Sequence, residues 1–378
     1  MKKDWRTVLR EERIGERVHL CDLPGGVKVH RQGRSLIVMP PNAAVLSSAN
    51  FNGGVFEGPD AVMNTTGLGG DAEASMMEGG HAVHAEYYAE CARKIGFDPA
   101  RIVGLGTAVT MDKAAIVTKT SGRTSVSAIV TAGVEGNGGR AGDPASYDQL
   151  EGYKGRNGTI VIILLIDADL PEASMARAMI TATEAKTCAL QQLMAASLYS
   201  TGIASGSGTD QVAVVCNRGS GIHLTDAGKH SLLGELIGRC VMEGVLRALD
   251  NWAGLTPLSQ RNALRRLKRY RVGTEEFLQH AAGADRDAFL GSLEETAADG
   301  EVVAAAAAAI HIQDEIGWGL LDSAEGRRAG NILIQGAMVR RCGACPERLD
   351  LEGDLIGNLV RALSLMALCG CAGKGGSA

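Results

Sequence analysis

An unbroken run of β-branched residues and leucines, Ile160–Ile166, lies near the middle of the chain, between Gly158-Thr159 and Asp167. A short run of this composition, bounded by turn residues, is typical of a strand that is buried on both faces. A helix is predicted directly after it, from Pro171-Glu172 to about Met194. Thr159 is therefore expected at the mouth of a central strand, where a nucleophile is held rigidly and can be reached.

Alternating and apolar runs elsewhere predict further strands and two long helices. The predicted strands are Val27–His30, Ser35–Met39, Ile102–Val109, Ala114–Thr120, Ser125–Ala132 and Gln211–Cys216, and the helices are 84–95 and 228–252. Residues 58–82 are rich in glycine and methionine, and this composition predicts a flexible loop.

The helix after the central strand carries two threonines on one stripe. Residues recur along it at three- to four-residue spacing, so they share one face: Ala176, Ile180, Thr183, Thr187, Leu190 and Met194. Because Thr183 and Thr187 lie in the middle of this stripe, we expect an inward polar pocket. The alternative is that each hydroxyl bonds back to the preceding helical turn.

Polar, glycine-rich loops follow or precede several of the predicted strands. One loop supplies small donors and acceptors for a polar ligand at Ser47, Ser48, Asn50 and Asn52, or is an ordinary turn. A second runs from Thr131 through Gly133 and Asn137 to Gly142, and its exposed N–H groups would suit an oxyanion unless it is simply mobile. A third, 205–210, places small hydroxyls and Asp210 before a strand.

Composition excludes several classes of protein. Of 378 residues 45% are hydrophobic, and the net charge of −5 gives no global argument for nucleic acid or an anionic membrane. No apolar run reaches the ~18 residues of a membrane helix, and the N-terminus lacks a secretory apolar segment. Nine scattered cysteines therefore indicate free thiols in a reducing cytoplasm.

A domain boundary is predicted at Leu255–Ser259, which divides the chain into domains 1–255 and 256–378. Three helices are predicted in the second domain, at 302–321, 327–339 and 351–368. Its four cysteines form a CxxC and a CxC: Cys342, Cys345, Cys369 and Cys371. Such thiols could hold zinc or an iron–sulfur cluster, and the alternative is unpaired thiols on packed helices.

Six sequence blocks between residues 25 and 252 together resemble the adenosylcobinamide amidohydrolase (CbiZ) family. They are Ser47-Ser48-Ala49 with Asn52-Gly53-Gly54, Thr131-Ala132-Gly133, Asn157-Gly158-Thr159-Ile160, Thr181–Thr187, Gly208-Thr209-Asp210, and Gly228-Lys229-His230 with Gly234–Ile237. The family usually has Thr-Gly-Thr-Gly-Thr-Asp at residues 205–210 and Ala-Gly-Val-Ser-Asn-Ala at 132–137, and this chain departs from both. The glycine-rich 58–82 and the C-terminal 120 or so residues also lie outside the family pattern.

This resemblance implies hydrolysis of the amide between the aminopropanol arm and the corrin ring of adenosylcobinamide, in cobamide salvage. The corrinoid is then the substrate, and no cofactor is required. Substrate contacts are implied at Ser47, Ser48, Asn50, Asn52, Asn137, Thr183, Glu184, Thr187, His230 and Glu235. An acyltransferase or peptidase on the same scaffold and a non-catalytic corrinoid-binding protein stay open as alternatives, as does a homo-oligomer.

A second resemblance concerns the central strand. A threonine or serine, a short apolar run and Asp-Ala are similar to the nucleophile strand of ornithine acetyltransferases and β-peptidyl aminopeptidases, which cut their own chain before that residue. The likeness implies a mixed α+β domain of two stacked β-sheets flanked by helices, with a helical C-terminal appendage here. It also implies Thr159 as nucleophile after scission at Gly158-Thr159.

The same likeness implies roles for residues around Thr159. Thr131 and Gly133 would contact the oxyanion, and Thr209 and Asp210 would direct proton transfer. Without scission a side chain must act as the base, and Lys186 and His230 are the alternatives. If neither serves, Thr159 is only structural.

Overall fold

The computed structural model describes residues 4–70, 80–148, 150 and 158–374, with no side-chain description at 80–82 and 372–374. Contacts divide the chain into two compact units, Met1–Thr256 and Pro257–Ala378. The first unit carries two large sheets, and the second is built from helices. None of the helices in the described ranges combines the length and apolar character needed to cross a bilayer.

The first sheet of the N-terminal unit has five strands in the order β1-β2-β3-β6-β7. They are β1 (Val18–Leu23), β2 (Val27–Gln32), β3 (Ser35–Met39), β6 (Ala61–Thr66) and β7 (Ile102–Thr107). Helix α1 (Trp5–Glu11) and helix α2 (Gly80–Lys94) accompany this sheet. Ile37, Met63 and Ile102 pack with Ala92 of α2, which covers the outer face of the sheet.

The second sheet has six strands in the order β5-β4-β13-β11-β9-β8. They are β4 (Ala43–Ser47), β5 (Gly54–Glu57), β8 (Ala115–Ser121), β9 (Thr124–Ala132), β11 (Ile160–Ile166) and β13 (Gln211–Asn217). A separate short ribbon pairs β10 (Gly138–Gly139) with β12 (Gly206–Ser207). Helix α3 (Glu172–Gln192) and helix α4 (Leu232–Ala253) complete the unit.

Strand β11 is central and buried on both faces, as its apolar run predicts. It pairs parallel with β13 and antiparallel with β9. Its even-numbered residues, such as Ile162, pack with α3 and α4, while Val161, Ile163 and Leu165 pack against the first sheet. Full burial stabilises each such side chain by about 1.5–3 kcal/mol. The layers are thus helix, sheet, sheet, helix, and the predicted α+β fold class is confirmed.

The flexible loop predicted for 58–82 is wrong over its first part. Ala61–Thr66 forms β6, which is buried throughout and lies between β3 and β7. The methionine and threonines of this segment face packed layers, so burial and ladder hydrogen bonds decided its structure rather than its turn-rich surroundings. Residues 71–79 of the predicted loop lie outside the described residues.

The inward face predicted for α3 is also wrong, except at Leu190, which is buried as predicted. Its buried residues are Ser174, Met175, Ala178, Thr181, Ala182, Ala185, Lys186, Ala189 and Leu190. Ile180 is 50% exposed, and Thr183 is exposed with its hydroxyl bonded to the Met179 carbonyl at 2.9 Å. The inward face is a stripe of alanines, which lets the helix approach the sheet closely. Because alanine side chains are small, a search for large apolar residues does not find this face. The back-bonding alternative therefore describes Thr183.

The C-terminal unit is helical, as predicted. Its helices are α5 (Ala263–Leu267), α6 (Thr274–Leu278), α7 (Arg286–Ala297), α8 (Gly300–Gly317), α9 (Ser323–Cys342) and α10 (Leu355–Lys374). They enclose one apolar core that includes Phe289 and Met338. A two-point ion pair between Arg269 and Asp314, at 2.7 and 2.6 Å, is buried within this unit.

Candidate active site

The Thr159 hydroxyl lies at the entrance of β11, in contact with the segment that leads into β13. Its Oγ1 donates to the Thr209 carbonyl at 2.6 Å, and the Thr159 and Thr209 hydroxyl oxygens are 2.8 Å apart. Thr159 is only 4% exposed. Gly158, with φ of +128°, turns the chain into the strand in a backbone conformation that favours glycine. Thr159 is therefore held rigidly at the start of the strand, as predicted, but its hydroxyl is buried rather than accessible.

The carbonyl oxygen of Gly158, in the peptide bond to Thr159, accepts two side-chain hydrogen bonds. Asn137 Nδ2 donates to it at 3.1 Å, and Thr209 Oγ1 lies 2.9 Å from it in donor geometry. Two donors aimed at one carbonyl oxygen beside a hydroxyl form the arrangement that stabilises the oxyanion of an attacked amide. In this structure the amide that these donors contact is the chain's own.

Asn137 reaches the carbonyl because its loop is tied to neighbouring backbone. The β10–β12 ribbon joins this loop to residues 205–210, and Gly208 N–H donates to the Asn137 carbonyl at 3.3 Å. A Cβ on Gly208 would lie 3.2 Å from Asn137 Oδ1, so the glycine leaves room for the amide. Asn137 Oδ1 accepts from the Tyr199 hydroxyl at 2.9 Å. Asn137 is 3% exposed, and both ends of its amide are engaged.

Asp210 fixes the start of β11 from the other side. Its Oδ1 accepts from Ile160 N–H at 3.0 Å and from the Ser207 hydroxyl at 2.6 Å. Its Oδ2 accepts from Ser207 N–H at 3.0 Å and forms an ion pair with Lys186 of α3. Because four donors surround this carboxylate, Asp210 links the start of β11, the loop at Ser207 and helix α3.

A cavity of about 390 Å³ adjoins the amide-binding groups. The described residues that line it include Asn137, Asp143, Lys186, Tyr199, Thr209 and Asp210. Burial acts to raise the pKa of the Asp143 carboxyl, but hydrogen bonds from the Ser197 and Ser200 hydroxyls and the Arg140 N–H outweigh it and lower that pKa. The cavity wall thus carries a carboxyl whose pKa lies below the usual value for aspartate.

The structure brings together five of the sequence-predicted residues: Thr159, Thr209, Asp210, Lys186 and Asn137. Lys186 is 6% exposed and donates to Asp210, so the base role predicted for it requires release from this ion pair. Sequence reasoning missed Tyr199. It lies outside the periodic elements, and no local pattern marks a partner 62 residues away along the chain. Ser207 belongs to the 205–210 loop of small hydroxyls, but its contact with Asp210 was not predicted.

The oxyanion contacts predicted at Thr131 and Gly133 are not where the structure has its donors. The Thr131 side chain is fully buried between the sheets, where its Oγ1 accepts from Asn64 Nδ2 at 2.9 Å. Gly133 N–H donates to the Thr159 carbonyl at 3.0 Å, as part of the pairing beside β9 and β11. The Asn64 side chain therefore engages the Thr131 hydroxyl and strand pairing engages the Gly133 N–H, while Asn137 and Thr209 face the Gly158 carbonyl instead.

Two of the ligand contacts predicted in the first polar loop, Ser48 and Asn52, instead bond to the protein backbone. Ser48 Oγ accepts from Val212 N–H at 3.0 Å, and Asn52 Nδ2 donates to the Pro99 and Ile102 carbonyls at 2.8 and 2.7 Å. Asn50 is exposed. The Ser47 hydroxyl is buried and has no hydrogen-bond partner among the residues that the structure describes.

The remaining predicted substrate contacts lie apart from the described lining of the cavity. Glu184 pairs with Lys229 at 2.6 Å and Glu235 with Arg239 at 3.1 Å, and His230 is exposed. The Thr187 hydroxyl donates to the backbone at the Thr183 and Ser205 carbonyls. These side chains lie on α3 and near the start of α4 and point away from the sheet. On α3 the inward face is occupied by the alanine stripe.

The four C-terminal thiols are divided in the structure. Cys342 and Cys369 are neighbours, and burial first, then the Cys369 thiol, raises the pKa of Cys342 to about 12. Cys345 contacts the Glu347 carbonyl, and Cys371 contacts the Ala288 carbonyl. Within the described ranges no three His, Cys, Asp or Glu side chains form a group that could hold a metal. Zinc or an iron–sulfur cluster stays a prediction from spacing alone.

Comparison with known proteins gives a family match over most of the N-terminal unit. The profile of the adenosylcobinamide amidohydrolase family matches residues 21–257. An uncharacterized protein of Methanocaldococcus jannaschii is 36% identical over 179 residues, which is 44% of this chain and 69% of that protein. A crystal structure of a Pyrococcus horikoshii protein aligns with 68% of this chain and 90% of its own, at 15% identity and a TM-score of 0.29. That score is too low to support a conclusion.

Proposed function

The chain belongs to the adenosylcobinamide amidohydrolase family, and from this we propose that it hydrolyses the aminopropanol amide of adenosylcobinamide to adenosylcobyric acid. The reaction belongs to cobamide salvage, and the corrinoid is the substrate. The family match ends at residue 257, so we assign the activity to the domain 1–255. All nine cysteines are free, which supports a reducing cytoplasm as the place of the reaction.

One observation carries this proposal in the structure: an amide carbonyl is held by two donors beside a hydroxyl. The Gly158 carbonyl oxygen lies 3.1 Å from Asn137 Nδ2 and 2.9 Å from Thr209 Oγ1, and the Thr159 hydroxyl is on the next residue. An amide is a poor electrophile, so its hydrolysis needs such fixed donors, and removing one typically lowers kcat by about 10²–10³. The substrate amide takes the same place as the Gly158 carbonyl.

Access to this place requires a change in the chain, because Thr159 is buried in the intact protein. We propose that the first amide attacked is the Gly158–Thr159 peptide. The Thr159 oxygen bonds to the Gly158 carbonyl carbon, the C–N bond breaks, and the hydroxyl proton passes to the nitrogen. Water then hydrolyses the ester, leaving a Gly158 carboxyl and a Thr159 that carries both a free amine and its hydroxyl.

The freed amine supplies the base that the intact site lacks. Among the described residues, the hydrogen-bond contacts of Thr159 Oγ1 are Thr209 groups, and Lys186 is engaged with Asp210. The amine takes the hydroxyl proton as Thr159 attacks the substrate carbonyl, and that proton leaves with aminopropanol. Water then hydrolyses the ester to adenosylcobyric acid and restores the hydroxyl.

The cavity size fits an inserted arm rather than an enclosed ring. At about 390 Å³ it is in the range of sites for small ligands, and a corrin macrocycle is much larger. The corrin ring therefore stays outside while one side-chain amide reaches the site. The Asp143 carboxylate on the cavity wall is placed to accept a hydrogen bond from a hydroxyl or amide of the arm.

The test is incubation of the purified full chain with adenosylcobinamide, with chromatography of the corrinoid and detection of released aminopropanol. We expect stoichiometric aminopropanol and adenosylcobyric acid. Binding of the corrinoid without release would instead favour the non-catalytic corrinoid-binding protein. Release of a product from a β-peptide or an acetylated amino acid, with none from adenosylcobinamide, would favour the peptidase or acyltransferase.

A further inference from the structure

Asn137 has a side-chain amide with one accepting end and one donating end, and its function depends on which end faces Gly158. Nδ2 donates to the Gly158 carbonyl at 3.1 Å, and Oδ1 accepts from the Tyr199 hydroxyl at 2.9 Å. A flipped amide would place Oδ1 against the Gly158 carbonyl, where two acceptors repel each other. A hydroxyl that donates to Oδ1 therefore favours the productive orientation.

The hydrogen bond from Tyr199 also strengthens the donor at the other end of the amide. Donation to Oδ1 polarises the amide and makes its N–H a better donor, and such chains are more effective inside a protein than in water. Asn137 is 3% exposed, so bulk water does not replace the phenol as a partner. Loss of the Tyr199 hydroxyl would thus weaken the hydrogen bond that Asn137 Nδ2 donates to a bound carbonyl.

The backbone of Tyr199 is held by a side chain of its own loop, and its ring packs against the backbone at Gly139. Tyr199 N–H donates to Ser197 Oγ at 3.0 Å, and Ser197 Oγ donates to Asp143 Oδ2 at 2.5 Å. A Cβ on Gly139 would lie 3.3 Å from Tyr199 Cδ2, so the ring packs closely over β10. The phenol oxygen is consequently fixed at Asn137.

We propose that Tyr199 is a positioning residue of the hydrolase, which acts on the substrate carbonyl through the orientation and polarisation of the Asn137 amide. This rests on the proposed function, since that carbonyl is the one attacked by Thr159. Tyr199 has no covalent part in the reaction. Its effect is on how strongly the transition state is bound, and not on whether Thr159 is a nucleophile.

The first test is a double-mutant cycle on aminopropanol release with Tyr199→Phe, Asn137→Ala and the double variant. We expect Tyr199→Phe to lower kcat by about tenfold, the loss of one buried hydrogen bond, with KM within about twofold. Asn137→Ala should lower kcat by about 10²–10³. In the Asn137→Ala background, Tyr199→Phe should change nothing further, because the group through which it acts is gone.

The matched control removes another phenol hydroxyl that bonds to a side chain. Tyr270→Phe deletes the hydroxyl that contacts Asp314 at 3.2 Å in the C-terminal unit, and we expect kcat to stay at the wild-type value. If Tyr199→Phe lowers kcat by the same factor with and without Asn137, then Tyr199 acts independently of Asn137 and the proposal is overturned. A rise in KM with unchanged kcat would also overturn it.

A second measurement separates this proposal from the proposed function. In protein labelled with ¹⁵N-asparagine, the Asn137 side-chain amide is assigned by its disappearance in Asn137→Ala. Tyr199→Phe should shift that amide pair and speed its exchange with solvent, while Tyr270→Phe leaves it unchanged. A wild type that releases no aminopropanol refutes the amidohydrolase, whereas an Asn137 amide unaffected by Tyr199→Phe refutes the positioning role.

Discussion

The hydroxyl oxygens of Thr159 and Thr209 lie 2.8 Å apart, and each hydroxyl also contacts a backbone carbonyl on the other's segment of chain. Thr159 Oγ1 donates to the Thr209 carbonyl at 2.6 Å, and Thr209 Oγ1 lies 2.9 Å from the Gly158 carbonyl. The proposed nucleophile and one carbonyl donor are therefore fixed in a single arrangement. Their roles differ, so substitutions should separate them.

Replacing Thr159 tests the nucleophile. We expect Thr159→Ala to abolish aminopropanol release, because no hydroxyl remains to form the ester, and Thr159→Ser to retain measurable turnover. Thr183→Ala is the matched control, since the Thr183 hydroxyl bonds only its own helix in the hydrogen bonds described. Full turnover by Thr159→Ala would refute the nucleophile while leaving the family assignment intact.

Replacing Thr209 tests the carbonyl donor. Thr209→Val keeps the shape of the side chain but removes the donor to the carbonyl, and we expect kcat to fall by about 10²–10³. Thr209→Ser should restore most of the activity, because it retains a hydroxyl at the same position. Steady-state kinetics on adenosylcobinamide check both. A fall confined to substrate affinity would mean that Thr209 does not stabilise the transition state.

Intact-mass measurement tests the scission. We expect the purified wild type to separate under denaturing conditions into two pieces that meet at Gly158/Thr159, because the buried hydroxyl adjoins the polarised carbonyl. Thr159→Ala should stay as one chain. Asn137→Ala should be cut more slowly, since one donor to the carbonyl is lost. A single-chain wild type with full amidohydrolase activity would contradict this step.

Substitution at Gly206 tests the packing around the ion pair. A Cβ there would lie 2.5 Å from Lys186 Nζ and closer still to Asp210, which several hydrogen bonds hold in place. We expect Gly206→Ala to lower the free energy of unfolding by about 1–3 kcal/mol. Gly238→Ala is the control, because its Cβ would meet nothing within 4 Å and alanine favours a helix. Urea unfolding of both variants measures the difference.

The pH dependence of stability tests Asp143. Hydrogen bonds from the Ser197 and Ser200 hydroxyls and the Arg140 N–H lower the pKa of Asp143 against the opposing effect of burial. A lowered pKa contributes stability above the unfolded value of about 3.9, and this contribution disappears as pH falls through the folded value. Ser197→Ala should therefore reduce the free energy of unfolding at pH 5 but less so at pH 3. An equal loss at both pH values would contradict this linkage.

Much of the fold could be predicted from local patterns. The apolar run of β11 and the helical periodicity of the C-terminal unit depend on neighbouring residues, so the sequence carries them directly. The face of α3 could not be predicted in this way. Alanine contributes little to a hydrophobic stripe, and only the close approach of the sheet shows that Ala178, Ala182 and Ala185 face inward.

The sequence by itself determined that a threonine begins a buried strand, that polar loops adjoin it, and which family these blocks belong to. Only the tertiary structure decided which groups meet. Thr209 is 50 residues from Thr159, Asn137 is 21 from Gly158, and Tyr199 is 62 from Asn137. Strand pairing engages the Gly133 N–H and leaves the Asn137 amide for the Gly158 carbonyl. A hydrogen bond depends on distance in space, and neither composition nor spacing along the chain encodes that distance.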